Sequence, residues 1–502
     1  MRTLPTLADL LGELERSPDV LDFHFSFDQI LMWPYVRVAL VHAAFYEAYG
    51  LSDAFAKGKS LNLLDCGSYL CQTILKNPFT AKRSDGSTIV MFASGITNVL
   101  RGASYVNRLH DSLAGENPSR TLLIEDSVRK KYLRPRAFRN VRYHDLIPIL
   151  AILESKIAPL KQKDEARINE FISFLRARFG YPLKEQVWLE VRQILRGRCT
   201  RLEPLRRHYD SLFNRLKPEI VFVEDGSYGL KGHIFKWAKA RGIVTAELQH
   251  GLISRNHPAY NYGSAILSFS LYREYLPDYL LTFGSYWNEK TNTPSRKVTV
   301  GNPNLSQYEA NAASTSDRKN VKEVVLIVSS GVDPEATKRI ALELTRVMDR
   351  AKYEIILRPH PGEFPSAKEK YGQLESHGAS IDLATDLYST LVKADFVVGE
   401  VTTALFEATY FGKVVFAMDH PYTRLHIDRD TFPMVKTASD VAGLIAQKQV
   451  ETSRSDLFWD KDWQWNYKTF MTAILNGERD RTNYSRLAHR VESDPRAKEA
   501  GA

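Results

Sequence analysis

The sequence predicts an α/β protein built from two Rossmann-like domains that face a cleft, and three observations carry that reading. Short β-type apolar runs alternate with helical stretches, the pattern of a parallel sheet covered on both faces. The alternation occurs twice, on either side of "YEANAASTSDRKN" (308–320), a polar small-residue stretch of linker composition. Residues able to do chemistry gather where the apolar runs stop, and open α/β sheets bind their ligands beyond those strand ends.

Taken in order, residues 1–80 are helical and aromatic-rich, as in "FHFSFDQILMWPYVRVALVHAAFYEAY". Two β-type runs follow, "STIVMFAS" (87–94) and "RTLLIEDS" (120–127), then helical sequence from about 146 to 216, broken near "GYPLKE" (180–185). Strand "EIVFVED" (219–225), helix 230–242 and strand "VTAELQHG" (244–251) come next. The short strands "DYLLTFG" (278–284) and "KVTVGNP" (297–303) close the first half. Beyond the linker the pattern restarts with "EVVLIVSS" (323–330), a helix over 334–350, "YEIILRPH" (353–360) and a weak strand near 380. Helix 386–394, strand 395–400, helix 402–412 and strand 413–418 complete it. The expected division is an N-terminal acceptor-binding domain over 1–307, a C-terminal nucleotide-sugar-binding domain over 321–450, and a tail over 451–502. The aromatic cluster of that tail, "LFWDKDWQWNYKTF", should pack back on the body, with its polar end disordered.

Bulk properties narrow the class. The 502 residues are 44% hydrophobic and 25% charged, ample for two or three domains. No apolar run is long enough to span a bilayer, and the first twenty residues lack the apolar core of a secretory signal. Three cysteines, Cys66, Cys71 and Cys199, form neither a disulfide framework nor a CxxC zinc motif. A cytoplasmic protein is expected. The net charge of +9 suits an anionic partner. No nucleic-acid-binding signature accompanies it, so an anionic membrane face touched peripherally is the expectation, beside the alternative of a plain solvated basic surface.

Four strand ends stand out. "VFVEDGSYG" (221–229) closes a buried run with Glu224, Asp225 and two glycines. Adjacent residues on extended backbone point opposite ways, so one carboxylate can face the cleft as base or nucleophile. Helix capping is the structural alternative for Asp225. "ELQHGLISRNHP" (247–258) supplies Gln249, His250, Arg255 and His257, a donor set suited to sugar hydroxyls or carboxylates. The spacing of its two histidines is poor for metal. In "IILRPHPGE" (355–363), prolines stiffen a loop that presents Arg358 and His360, a cation and an imidazolium suited to phosphate. In "VVGEVTTALFEA" (397–408), Thr402 and Thr403 open a helix whose amides and dipole favour an anion, and "LIVSSG" (326–331) places Ser329 and Ser330 similarly. Ordinary capping is the alternative for both pairs. The two DxD triplets, Asp428–Asp430 and Asp460–Asp462, follow no buried strand and read as surface loop.

These motifs resemble known enzymes. "EDG" (224–226), "HP" (360–361) and the hydroxyl pair 402–403 resemble the acidic, HP and S-S/T motifs of bacterial sialyltransferases and polysialyltransferases. "ELQHG", with "HPAYNY" and "LPDYLLTFGSYW" after it, is similar to bacterial Kdo transferases of capsule and O-antigen synthesis. The resemblance covers roughly residues 215–420. It implies a GT-B fold and a glycosyltransferase that moves a 2-keto sugar acid, Kdo or sialic acid, from a CMP-sugar to a surface-polysaccharide or lipid-linked glycan acceptor. It implies catalysis by Asp225 and a CMP phosphate held by His360, Thr402 and Thr403; from their strand-end positions Glu224, facing away in support, and His257 join Asp225 as catalytic candidates. Ser329, Ser330, Arg358, His360, Thr402 and Thr403 would hold the donor, and Gln249, His250 and Arg255 the second substrate. The CMP-sugar is then a substrate, and no cofactor, metal or nucleic acid is expected. A teichoic-acid-type glycerophosphotransferase, a nucleotide-sugar epimerase and a non-catalytic assembly subunit are the competing readings.

Overall fold

The computed structural model describes residues 4–51, 63–81, 88–157, 160–312, 322–384, 386–447 and 455–477. The end of the chain expected to be disordered and most of the expected linker lie outside these residues. Residues 308–312, read as linker, instead finish a helix, Pro303–Ala312.

Two parallel sheets form the frame. The first contains β1 (Thr88–Ser94), β4 (Thr121–Asp126), β5 (Val141–Tyr143), β6 (Pro218–Val223), β7 (Val244–Leu248), β8 (Tyr279–Thr282) and β9 (Arg296–Thr299), in the order β5-β4-β1-β6-β7-β8-β9. A small antiparallel hairpin, β2 (Asn98–Arg101) and β3 (Ser104–Asn107), rises from the end of β1. The second sheet contains β10 (Glu323–Val328), β11 (Tyr353–Arg358), β12 (Ser380–Ile381), β13 (Phe396–Gly399), β14 (Val414–Met418) and β15 (Met434–Val435), in the order β12-β11-β10-β13-β14-β15. Every pairing within these two sheets is parallel. Both sheets therefore follow the doubly wound order, and each reverses direction once, between β1 and β6 and between β10 and β13. Two such units in one chain make a GT-B fold. The hairpin, β5 and β15 are the strands that apolar patterning misses, because each is only two to four residues long.

Burial explains the strand sequences. β1 and β7 are buried along their whole length, and β1 accordingly carries β-branched and aromatic residues on both faces. On one face of the first sheet lie the helices Trp33–Ala48, Gln162–Arg178 and Glu185–Leu216, packed into one apolar cluster. A second cluster runs from the opposite face, through Tyr388, Leu391 and Phe406 of the second domain, to Tyr467 and Phe470 of the last helix. The helix Trp463–Leu475 thus lies on the first domain, where Tyr467 meets Phe222 and Phe470 meets Tyr279. Two buried indoles fix this segment. Trp287 Nε1 donates to the Phe458 carbonyl (2.8 Å), and Trp459 Nε1 donates to the Phe406 carbonyl (2.9 Å). Each buried indole contributes roughly 1.5–3 kcal/mol through its apolar area.

The two domains also touch beside their strand ends. Ser254 and His426 Nδ1 share a 2.7 Å hydrogen bond, Asn256 Nδ2 donates to the Leu425 carbonyl (2.8 Å), and Lys290 pairs with Asp428. The second of the expected surface triplets, Asp460–Asp462, lies between Trp459 and the last helix.

Helix Trp33–Ala48 is locked to the turn after β6 by a close backbone approach. Gly229 has φ +92°, and a Cβ there would lie 1.8 Å from the Pro34 carbonyl oxygen. Gly229→Ala must therefore open this contact and strain the backbone, costing about 2–4 kcal/mol. A thermal melt is expected to show a drop of several degrees. An unchanged midpoint would mean that helix Trp33–Ala48 does not rest on this turn.

Candidate functional site

The candidate site is built where β6 and β7 end. Glu224 leaves β6 only 2% exposed and turns back toward β1, where Oε2 accepts the Ser94 amide (2.7 Å) and lies 3.5 Å from Thr97 Oγ1 and His110 Nδ1. Burial, with the neighbouring Asp225 charge adding to it, pushes the Glu224 carboxyl well above its ordinary value. Asp225 points the other way and stays part-exposed, 3.4 Å from His250 Nε2. Its backbone is left-handed, φ +60° and ψ +21°. That conformation is uncommon for a residue with a Cβ, although aspartate tolerates it best, and such strain clusters at functional sites. Gly226 follows because a Cβ there would come within 2.3 Å of the Phe235 ring.

Around this pair runs a chain of short polar contacts. Tyr228 Oη is 3.0 Å from His257 Nε2 and 3.3 Å from His250 Nε2. Tyr260 Oη is 3.4 Å from His250 Nδ1 and 3.1 Å from Glu247 Oε1. Glu247 Oε2 accepts both the amide (2.9 Å) and the hydroxyl (2.5 Å) of Ser227. His42, from helix Trp33–Ala48, stands edge-on to His257 with centroids 6.5 Å apart, so the N-terminal region reaches the site. Burial lowers His250, against the pull of Asp225 and with Arg108 and Lys231 adding to the depression. Burial also lowers His257 and raises Tyr228 and Tyr260 well beyond their usual ranges. Both imidazoles are therefore neutral at pH 7.

In the second domain, "RPHPGE" forms a capping box. His360 Nδ1 accepts the Gly362 amide (3.1 Å), while the His360 amide donates to Glu363 Oε2 (3.0 Å). Glu363 is fully buried and also accepts from the hydroxyls of Ser329 (2.6 Å) and Tyr371 (2.8 Å). With Nδ1 an acceptor and burial lowering its pKa, His360 carries its proton on Nε2 as a neutral imidazole. The sequence predicts an imidazolium here, whereas burial favours the neutral ring. Thr402 caps the helix Thr403–Tyr410, accepting the Ala404 amide at 3.2 Å, and both threonines are half-buried.

Several other expected contacts are revised by geometry. Arg358 is 4% exposed, and its guanidinium donates to Asp382, Thr390 and the Ala384 carbonyl (2.8 Å), so it supports the loop from beneath in place of clamping phosphate. Ser329 and Ser330 spend their hydroxyl protons on the buried carboxylates Glu363 and Glu400. Gln249 is fully buried, its amide bridging the Gly251 carbonyl and the Phe283 amide, and so is a structural residue. Arg255 is exposed and lines a groove of about 750 Å³ with Arg16, Glu289 and Asn292, which Asp225 and His250 do not line. Glu224 turns inward and supports Asp225, as expected of the member of the pair that faces away from the cleft, whereas His257, expected beside the catalytic carboxylate, is held inside the wall and bonds Tyr228.

Arg108, just beyond β3, was not singled out by the sequence. Its charge acts on Glu224 and His250 in the first domain and on His360 and Glu407 in the second. Among the described residues its guanidinium makes no hydrogen bond or ion pair. It is thus a cation between the two halves. Only the short hairpin that carries it could have signalled it. Glu247, Glu363 and Glu400 do carry a signal, since each is a carboxylate placed within or against a buried apolar run.

No protein-family model matches the chain, and no curated protein sequence does. Among solved structures it is similar to the wall teichoic acid polymerase TagF, with 11% identity over 83% of this chain and 98% of that one and a TM-score of 0.44. It is similar to UDP-GlcNAc 2-epimerase of Methanocaldococcus jannaschii in complex with UDP-GlcNAc and UDP, at 11% identity, 77% and 99% coverage and a TM-score of 0.42. It is similar also to S. aureus MnaA with UDP, at 11% identity, 77% and 96% coverage and a TM-score of 0.43. Likeness at this level transfers no substrate and no residue role.

The buried carboxyls give the protein a distinctive pH response. Burial raises Glu247 and Glu400 to about 8, whereas an unfolded glutamate titrates near 4.3. Between these values the folded protein holds protons that the unfolded chain has released. Their stabilising effect is complete below about pH 4.3 and is lost as pH rises through 8. The melting temperature is therefore expected to fall between pH 7 and 8.5, above the range in which the buried histidines, lowered by folding, add stability as pH rises, and Glu400→Gln, which mimics the protonated form, should flatten the decline. A melting temperature that rises over this range would contradict the assignment.

Proposed function

We propose that the protein is a glycosyltransferase that moves a 2-keto sugar acid, Kdo in the first instance, from a CMP-sugar to a glycan acceptor. The observation that carries this is the strained, part-exposed Asp225 beside His250, set across from a second doubly wound domain with its own anion-suited strand ends. The donor phosphate is assigned to the N-terminus of helix Thr403–Tyr410, with the hydroxyls of Thr402 and Thr403 and the Nε2–H of His360 as donors. Arg108 supplies charge to the sugar acid carboxylate or the phosphate from the facing wall.

In the reaction, the acceptor hydroxyl oxygen bonds to the anomeric carbon while the bond from that carbon to the phosphate oxygen breaks. CMP leaves with the electron pair. Asp225 takes the hydroxyl proton, and His250, at 3.4 Å, shares it. The departing phosphate meets preorganised donors rather than water, which lowers the barrier electrostatically. No step in this scheme is routed through a metal.

A membrane-bound acceptor fits one further feature. Leu70, Ile74 and Leu75 are exposed on helix Leu63–Leu75, whose Tyr69 stacks on Tyr132, next to the basic turn Arg129–Lys131. Apolar side chains flanked by lysine and arginine suit peripheral contact with an anionic bilayer. Among the described residues no helix is long and apolar enough to cross a membrane.

Asp225→Asn keeps the shape and removes the charge, and turnover is expected to fall about 10²–10⁴-fold. CMP affinity, measured by calorimetry, should change little. His360→Ala and Arg108→Ala should each weaken CMP-sugar binding, with smaller losses of turnover at saturation. The assay should run CMP-Kdo, CMP-sialic acid and CDP-glycerol in parallel. Transfer from CDP-glycerol alone would make the protein a glycerophosphotransferase, for which a proton acceptor at Asp225 and His250 serves equally. Normal turnover in Asp225→Asn would remove the catalytic assignment.

A further inference from the structure

The chain of contacts behind His250 has a direction, and its direction is set at both ends. At one end the Ala259 amide donates to His257 Nδ1 (3.2 Å), so the proton of this neutral ring sits on Nε2 and points at Tyr228 Oη, 3.0 Å away. Tyr228 cannot return its own proton to His257 and has His250 Nε2 at 3.3 Å as acceptor. At the other end Glu247 Oε2 already receives two protons from Ser227, and its Oε1 is 3.1 Å from Tyr260 Oη. An ionised Glu247 accepts a hydrogen bond from the Tyr260 hydroxyl. Tyr260 oxygen is then left to accept from His250 Nδ1, 3.4 Å away. Both ends thus ask for the same form of His250, with hydrogen on Nδ1 and a bare Nε2.

That form is not what the nearest neighbour prefers. Asp225 Oδ1 is 3.4 Å from the same Nε2, and a carboxylate left to itself takes a hydrogen bond from the ring. Such a bond would occupy both groups before any substrate arrived.

We propose that Glu247 is a positioning residue: ionised, it draws hydrogen toward itself through Tyr260 and holds His250 with its bare Nε2 turned to Asp225. Nε2 then accepts from Tyr228 and offers Asp225 no hydrogen, so the carboxylate stays open to a substrate proton. A proton on Glu247 removes the pull from that end, and His250 Nε2–H can then displace the Tyr228 hydroxyl and donate to Asp225. This inference rests on reading Asp225 and His250 as the proton-accepting pair, and it adds the device that keeps the pair empty. The groups facing His250 are Asp225, Tyr228 and Tyr260, with Arg108 and Lys231 acting on it from farther off. Ser227, Asp225 and Tyr260 are the neighbours that act on Glu247, and its burial places the change near pH 8.

The test needs no substrate. Protein labelled with ¹⁵N at histidine is observed by long-range ¹H–¹⁵N correlation from pH 6 to pH 9.5, which separates the two neutral forms of each ring. The wild-type protein should gain the Nδ1–H form of His250 as pH rises through about 8. Tyr260→Phe and Glu247→Gln should each hold one form across the range, with His257 unchanged as an internal control. The rising limb of the kcat profile, measured with whichever donor is active, should flatten in the same two variants. A His250 signal that keeps one form throughout in the wild-type protein overturns the proposal, as does a change that persists in both variants. Because the readout is independent of turnover, loss of the transferase reading through an active Asp225→Asn protein would leave the hydrogen-bond result to be judged alone.

Discussion

The hydrogen bond from the Ser94 amide to Glu224 is the contact on which the site depends. It spans the switch point of the first sheet, where β1 and β6 run side by side and their following chains diverge. A carboxyl taken 98% out of water and given one strong donor cannot leave, because a buried unpaired acid is costly. With Glu224 tied inward, the next residue must turn outward within one peptide, and Asp225 does so in a left-handed conformation. Gly226 then clears the Phe235 ring, and Gly229 accepts the backbone of helix Trp33–Ala48. The exposed acid is thus a consequence of the buried one.

The second domain repeats the arrangement. Its switch point lies between β10 and β13, and there Ser330 donates to the buried Glu400, as Ser94 serves Glu224 in the first domain. Beside it, Glu363 joins the end of β10, through Ser329, to the amide of His360 at the end of β11. Four buried carboxyls, Glu224, Glu247, Glu363 and Glu400, therefore fix loops, and the groups that meet the cleft are carried by those loops. Rigid loops of this kind hold donors where charge develops, so that little reorganisation is needed during reaction.

The architecture was legible in the sequence because it rests on long periodic signals. Apolar runs such as "TIVMFAS" and "EIVFV" must be buried on both faces, and the helices between them leave a parallel sheet as the arrangement that buries them. Asp225 was legible as a carboxylate closing a buried run, but the extended alternation expected to separate it from Glu224 is not what does so: β6 ends at Val223, and Asp225 turns outward through its own left-handed backbone. The partners of the other polar residues were not legible. Whether Arg358 reaches the cleft or Asp382 depends on a loop 24 residues further on, and no local pattern encodes that pairing. Ser329, Ser330 and Gln249 illustrate the same limit, since a hydroxyl or amide at a strand end is equally suited to a ligand or to a buried neighbour. Arg108 was missed because its hairpin is too short for periodicity to show.

The central claim is that catalysis is divided between the halves, with the donor nucleotide on the second domain and the accepting acid on the first. A crystal structure of the protein soaked with CMP tests it most directly. The account expects the phosphate at the N-terminus of helix Thr403–Tyr410, within hydrogen-bond distance of Thr402 or Thr403 and of His360 Nε2, with Asp225 facing it from the opposite wall. Nucleotide seated instead against β6 and β7, or in the groove lined by Arg16 and Arg255, would contradict it.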